Sequence, residues 1–127
     1  IKNVQDGKID SQGAPYLKVL PENLKIGCVL KISDVLLSLI GNVGRTGIVC
    51  ENNLRFNQRV AKIGPFDNDI LPFLHFLFRY PAMKMQLETI AKGTAQLNLS
   101  PVESLRLHIP FEIASVQQLT KRSAKIF

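Results

Sequence analysis

The sequence is poor in the side chains that carry most enzyme chemistry. Among 127 residues there is no Trp, and there are two Cys, two His, two Met and two Tyr. Cys28 and Cys50 lie far apart in apolar surroundings, with no Cys-x-x-Cys pair and no neighbouring His, so no zinc site is spelled out. Both are expected to be small buried hydrophobes. Nothing in this cysteine usage points to an oxidising compartment, and a cytoplasmic protein is expected. Every long apolar run is broken by Lys, Arg, His or Gly well before the roughly 18 residues that a membrane helix requires. No signal-peptide pattern opens the chain, and no membrane partner is expected. The first residue is Ile1 rather than Met, so a fragment or a missing natural start is expected.

The motifs of several enzyme classes are also missing. No Gly-x-x-x-x-Gly-Lys-Ser/Thr phosphate loop occurs. Gly41, Gly44 and Gly47 follow a strand-like run but precede another, whereas a dinucleotide site needs a helix N-terminus there. No nucleophile motif, no Asp…Glu-x-Lys nuclease arrangement and no Asn-Pro-Pro-Tyr methyltransferase motif is found. His75 lies in a very apolar helix and His108 in a strand-like run, which suits structural or surface histidines better than a base or a ligand. Glu88 and Lys92, four apart, read as a surface pair. We therefore expect no catalytic residue, no metal and no cofactor in this chain.

What remains is an ordinary folded composition, 46% hydrophobic and 20% charged, at a length that suits one domain. The formal charge of +6 favours an anionic partner such as nucleic acid, although a solvated basic surface fits it equally. No repeat or low-complexity segment is visible. The fold class is read as mixed α/β (α+β). Ile1-Lys2-Asn3-Val4 suggests a strand, and Asp6-Gly7 a turn. Residues 34–40 are nearly continuous in apolar character, as in a strand buried on both faces. Residues 48–50 suggest a short return strand, and residues 55–63 another that ends at Gly64-Pro65. Ile70, Phe73, Leu74 and Leu77 follow helical spacing, with Asp69 as cap and Pro72 in the first turn. Pro81 interrupts, and a second helix carries Met83, Leu87, Ile90 and Ala91, closed by Gly93. Ser100, Pro101 and Glu103 form a capping box for a short helix, residues 105–109 suggest a last strand, and Ser115 with Gln118 caps a final helix. Val116, Leu119 and Ile126 give that helix less than two heptads of coiled-coil spacing.

Three polar stretches could read nucleic acid. The first, Gly41-Asn42-Val43-Gly44-Arg45-Thr46-Gly47, is a glycine-punctuated hairpin loop that carries Asn42, Arg45 and Thr46 outward. Arg can pair bidentately with guanine and Asn with adenine. A plain solvent-facing turn fits the same residues. The second runs over Arg55, Asn57, Gln58, Arg59 and Lys62. As a strand it would place Arg55, Asn57 and Arg59 on one face and Gln58 on the other, where its amide could instead serve the interior. The third offers Lys92, Thr94, Gln96 and Asn98 to phosphates and base edges, or to the loop's own backbone.

Taken in order, these stretches resemble the target-recognition domain of type I restriction–modification specificity subunits. The resemblance covers nearly the whole chain. It is carried by the initial strand and turn, the run from Asp34 through the glycine loop, and the Asn57-Gln58 pair. It continues through the helix pair, Gly93-Thr94-Ala95-Gln96-Leu97-Asn98-Leu99-Ser100, the approach to Ile109-Pro110, and the Gln117-Gln118 helix. Pro110-Phe111-Glu112-Ile113 departs from the family's Pro-Leu-Pro-like run, and Val116 stands where an acidic residue is common. The resemblance implies a compact mixed sheet with packed helices and a spacer-type C-terminal helix. It implies a partial recognition domain over 1–112 and the start of the spacer over 113–127. It also implies that double-stranded DNA is one partner, with methyltransferase subunits and, in some assemblies, restriction subunits as others. S-adenosylmethionine, Mg and ATP would be used only by those partners. Two alternatives remain at this point, the recognition portion of a single-chain restriction–methylation enzyme and a protein-interaction module that does not bind DNA.

Overall fold

The computed structural model describes residues 2–19, 28–64, 69–91, 98–100, 107, 112, 115 and 118. In chain order the elements are β1 (Val4–Gln5), β2 (Gly7–Ile9), β3 (Val35–Ser38), β4 (Thr46–Ile48), β5 (Val60–Ile63), α1 (Leu71–Arg79) and α2 (Pro81–Ala91). The expectation of a mixed α and β chain holds. The five strands form one sheet in the order β1-β2-β4-β3-β5. Among the described strands the β2–β4 pair is parallel, and β1–β2, β3–β4 and β3–β5 are antiparallel.

β3 lies between β4 and β5 and is the centre of the fold. Residues 35–39 are all buried, as their nearly continuous apolar character predicts. Side chains alternate along a strand, so Val35, Leu37 and Leu39 face one way and Leu36 the other. Val35, Leu37 and Leu39 join the larger core with Ile70, Leu74 and Leu87 from the helices. Leu36 joins Val4, Leu30, Val49 and Val60 in a second cluster on the opposite face. One strand thus ties two hydrophobic layers together.

The helices follow the expected spacing with one difference. Ile70, Leu74 and Leu77 are buried and Phe73 packs against them. Asp69 is exposed, and no side chain caps α1; its N-cap is Ile70. The core takes Ile70 to 1% exposure, and packing rather than a cap sets the start of this helix. Tyr80 turns extended because Pro81 follows it, and Pro81 then opens α2. Gly93, the short helix after Ser100, the 105–109 strand except Leu107, and the final helix except positions 115 and 118 lie outside the described residues.

Three further expectations are corrected. Cys50 is exposed and Cys28 half-buried, so neither is a core hydrophobe. Val49, the residue before Cys50, fills the second cluster, and alternation turns the thiol outward. The return strand begins at Thr46, two residues before the apolar run 48–50, because its ladder is set by pairing with β3 and not by hydrophobicity. Residues 55–59 are not strand. Arg55 makes an isolated bridge with Val29, and the Asn57 side-chain oxygen accepts the Arg59 N–H (3.1 Å) in an Asx turn that breaks the ladder before β5.

His75 is structural, as its apolar neighbours suggest: it is 3% exposed, and its buried Nδ1 has no partner among the described residues. Burial lowers its pKa below 6.5; the Arg79 cation adds to this and Asp6 opposes it. The folded state therefore prefers the neutral ring more strongly than the unfolded chain does. The contribution of His75 to stability is complete above pH 6.5 and is lost as pH falls through the lowered folded pKa. Urea midpoints compared at about pH 7.5 and about pH 5 should fall on acidification, and by a smaller amount in His75→Phe. An equal fall in both proteins would show that another group is responsible.

Candidate nucleic-acid interface

Three strand ends meet at one edge of the sheet. β3 finishes at Ser38 where β4 starts at Thr46 and β5 starts at Val60. The glycine loop joins β3 to β4, and the 57–59 turn leads into β5, so antiparallel pairing brings both polar segments to this edge. Ser38 donates its N–H to the Arg45 carbonyl (2.9 Å), and Leu39 donates to the Arg59 carbonyl (3.0 Å). The two arginine backbones therefore flank the end of β3. At about 4.8 Å per strand spacing they stand roughly 10 Å apart, which fits within a major groove about 12 Å wide. The Leu39 carbonyl accepts the Leu99 N–H (2.7 Å) and Ile40 bridges to Asn98, so a third segment reaches the same place.

Within the glycine loop the side chains divide sharply. Asn42 is exposed and Arg45 half-buried. Thr46 is wholly buried, with its hydroxyl 3.5 Å from the His75 carbonyl, which corrects its expected outward position. Thr46 is a β4 residue packed beneath α1, and its buried hydroxyl does not face outward for DNA. The glycines also differ in role. Gly41 is exposed, but Gly44 and Gly47 are buried. Gly44 adopts φ +85°, and a Cβ there would lie 3.2 Å from Leu87 Cδ1. This glycine brings the loop against α2 rather than against a ligand.

In the second segment Asn57, Gln58 and Arg59 are all exposed. Gln58 is therefore not an interior amide. Arg55 is half-buried, its Nη1 donates to the Leu54 carbonyl (2.9 Å), and its Nε is buried with no partner among the described residues. Its guanidinium folds onto its own backbone and, unlike Arg59, it makes no described bond to the end of β3. Lys62 pairs with Asp34 at 3.3 Å. Lys92, Thr94 and Gln96 lie outside the described residues.

One basic residue escapes the sequence reading. Lys84 sits on α2, three positions before the buried Leu87, and its Cγ would lie 3.9 Å from a Cβ at Gly44. It therefore stands beside the glycine loop. The i, i+3 spacing marks Lys84 as a rim residue of the buried helix face, but only the tertiary fold shows which loop it borders. Among the described residues the ion pairs are Lys62–Asp34 and Arg79–Asp6, so Arg45, Arg59 and Lys84 are not neutralised by a described carboxylate. The edge thus offers three cations and the amides of Asn42 and Asn57. Such a set can attract phosphates and donate hydrogen bonds to base edges. Among the described residues no group of His, Cys, Asp and Glu could hold a metal, and no helix is long and apolar enough to cross a membrane.

No protein-family model matches the chain, and no solved structure matches it. The chain is similar to the Type I restriction enzyme EcoBI specificity subunit of Escherichia coli, with 26% identity over 132 residues. The match covers 98% of this chain and 27% of that relative, so the chain spans about a quarter of the relative's length. The likeness supports the specificity-subunit family, without extending to the rest of the relative.

Proposed function

We propose that this chain reads DNA sequence as a target-recognition portion of a type I restriction–modification specificity subunit. The observation that carries the proposal is that the backbones of two polar segments, one bearing Asn42 and Arg45 and the other Asn57 and Arg59, meet on the two flanks of the β3 end, where no described carboxylate neutralises the arginines. Lys84 adds a third cation beside the loop. Two arginines and two amides set about one groove width apart suit direct readout in the major groove. The overall charge of +6 supplies the attraction to phosphates. Lys92, Thr94 and Gln96, one, three and five positions after Ala91, continue the polar sequence toward Asn98, and we propose them as further DNA contacts.

In this reading the chain recognises one half of a bipartite target and performs no chemistry. Methyltransferase subunits supply methyl transfer from S-adenosylmethionine. Restriction subunits supply cleavage, with Mg and ATP. Residues 113–127 begin the spacer that leads toward those subunits.

Selection from a pool of random duplex DNA tests the reading. A single short motif should be enriched, bound more tightly than scrambled duplex by on the order of a thousandfold or more, with affinity that falls steeply as salt rises. Equal retention of all sequences, or no retention at low salt, would overturn it.

A further inference from the structure

We infer that Ser38 is the positioning residue that sets the geometry of the two polar loops. The inference rests on the DNA-reading proposal for its functional consequence, but its structural half stands independently.

Ser38 is the last residue of β3 and is wholly buried. It is the one polar side chain in the buried run from Val35 to Leu39. Its hydroxyl donates to the Asn42 carbonyl and accepts the Arg45 N–H at 3.0 Å. Its backbone N–H donates to the Arg45 carbonyl (2.9 Å), and its carbonyl accepts the Gly44 N–H (3.0 Å). One residue thus bonds to positions 42, 44 and 45 of the glycine loop. On the other flank Ser38 pairs with Val60, and the adjacent Leu39 binds the Arg59 carbonyl. The two loops are referenced to each other through this single strand end.

The hydroxyl is not required for the strand. Alanine at this position would keep both backbone bonds to the loop and the pairing with Val60. What alanine removes is the tie between the Asn42 carbonyl and the Arg45 N–H, leaving both groups without that partner. The hydroxyl therefore determines the shape of the loop rather than its attachment. Hydrogen bonds to base edges demand placement to within about 0.5 Å, whereas attraction to phosphates tolerates a looser loop. Loss of the Ser38 hydroxyl should therefore reduce sequence preference far more than general DNA affinity.

The experiment compares the full chain with Ser38→Ala and Ser38→Thr. Amide hydrogen exchange should accelerate at Arg45 at least tenfold in Ser38→Ala, while the β5 amides keep their protection. On the duplex selected by the wild-type chain, the ratio of specific to scrambled affinity should fall at least tenfold, and the scrambled affinity and the salt slope should change by less than twofold. Ser38→Thr, which keeps the hydroxyl, should hold the wild-type exchange at Arg45. Unchanged exchange at Arg45 in Ser38→Ala overturns the positioning role. So does a proportional loss of specific and scrambled affinity, since that pattern belongs to general destabilisation. If the wild-type chain itself selects no sequence, the DNA reading fails, and exchange at Arg45 alone decides whether Ser38 holds the loop.

Discussion

Gly47→Ala is expected to lower the thermal midpoint by roughly 10 °C. Gly47 sits in β4 opposite Gly7 in the parallel β2–β4 pair. A Cβ there would lie 2.7 Å from the Lys8 carbonyl carbon and oxygen, and 2.6 Å from Ile9 Cδ1. The Ile9 side chain can rotate away, but the Lys8 backbone belongs to β2 and moves only if the strand moves. Forcing a methyl into such a space costs about 2–3 kcal/mol. That cost falls on the parallel β2–β4 pairing, which joins the β1–β2 hairpin to the rest of the described sheet. Thermal or urea unfolding measures it directly. A midpoint within about 2 °C of wild type would show that β2 shifts freely and that the close approach has no energetic weight.

The second large effect concerns binding. Replacing Arg45 and Arg59 together by alanine is expected to weaken binding to the selected duplex on the order of a thousandfold. Each contact to a base or a phosphate contributes about 1–3 kcal/mol, and residues roughly 10 Å apart on opposite flanks of β3 should act almost additively. Arg59 is exposed and Arg45 half-buried, so the single variants need not be equal. An arginine that reads a base should relax preference at one position of the motif when removed. One that meets phosphate should weaken all sequences alike and reduce the salt slope by about one. Unfolding curves should show that the double variant remains folded. Binding within twofold of wild type would place the DNA surface elsewhere on the molecule. Arg55→Ala is a useful contrast, because its Nη1 is engaged by the Leu54 carbonyl and its loss should affect binding less than that of Arg59.

Much of the framework was legible in the amino-acid order. The nearly continuous apolar run over residues 34–40 reads as a doubly buried strand, and alternation along it does serve two separate cores. Helical spacing from Ile70 to Leu77 and the break at Pro81 correspond to α1 and α2. These features are legible because each depends on a period within one short segment, and burial follows that period wherever the segment packs. The glycine loop was legible as a loop for the same local reason, whereas the segment from Arg55 to Arg59 reads as strand and turns instead at Asn57.

The meeting of their backbones at the end of β3 was decided by tertiary structure. Arg45 and Arg59 are brought together by two antiparallel ladders that share β3, and no local period encodes that pairing. The interior place of Thr46 follows from β4 passing beneath α1, although its polar neighbours in sequence suggest exposure. The division of labour among Gly41, Gly44 and Gly47 depends on Leu87 and Lys8, which approach from distant segments. Lys84 borders the loop only because α2 lies against Gly44. The sequence by itself determined the central strand, the helix pair and the glycine loop, since those follow from backbone conformation and alternation, but not the limits of β4 and β5, which the pairing with β3 sets. Which polar groups face outward together depends on long-range packing, because exposure is a property of the assembled surface and not of any residue's neighbours in the chain.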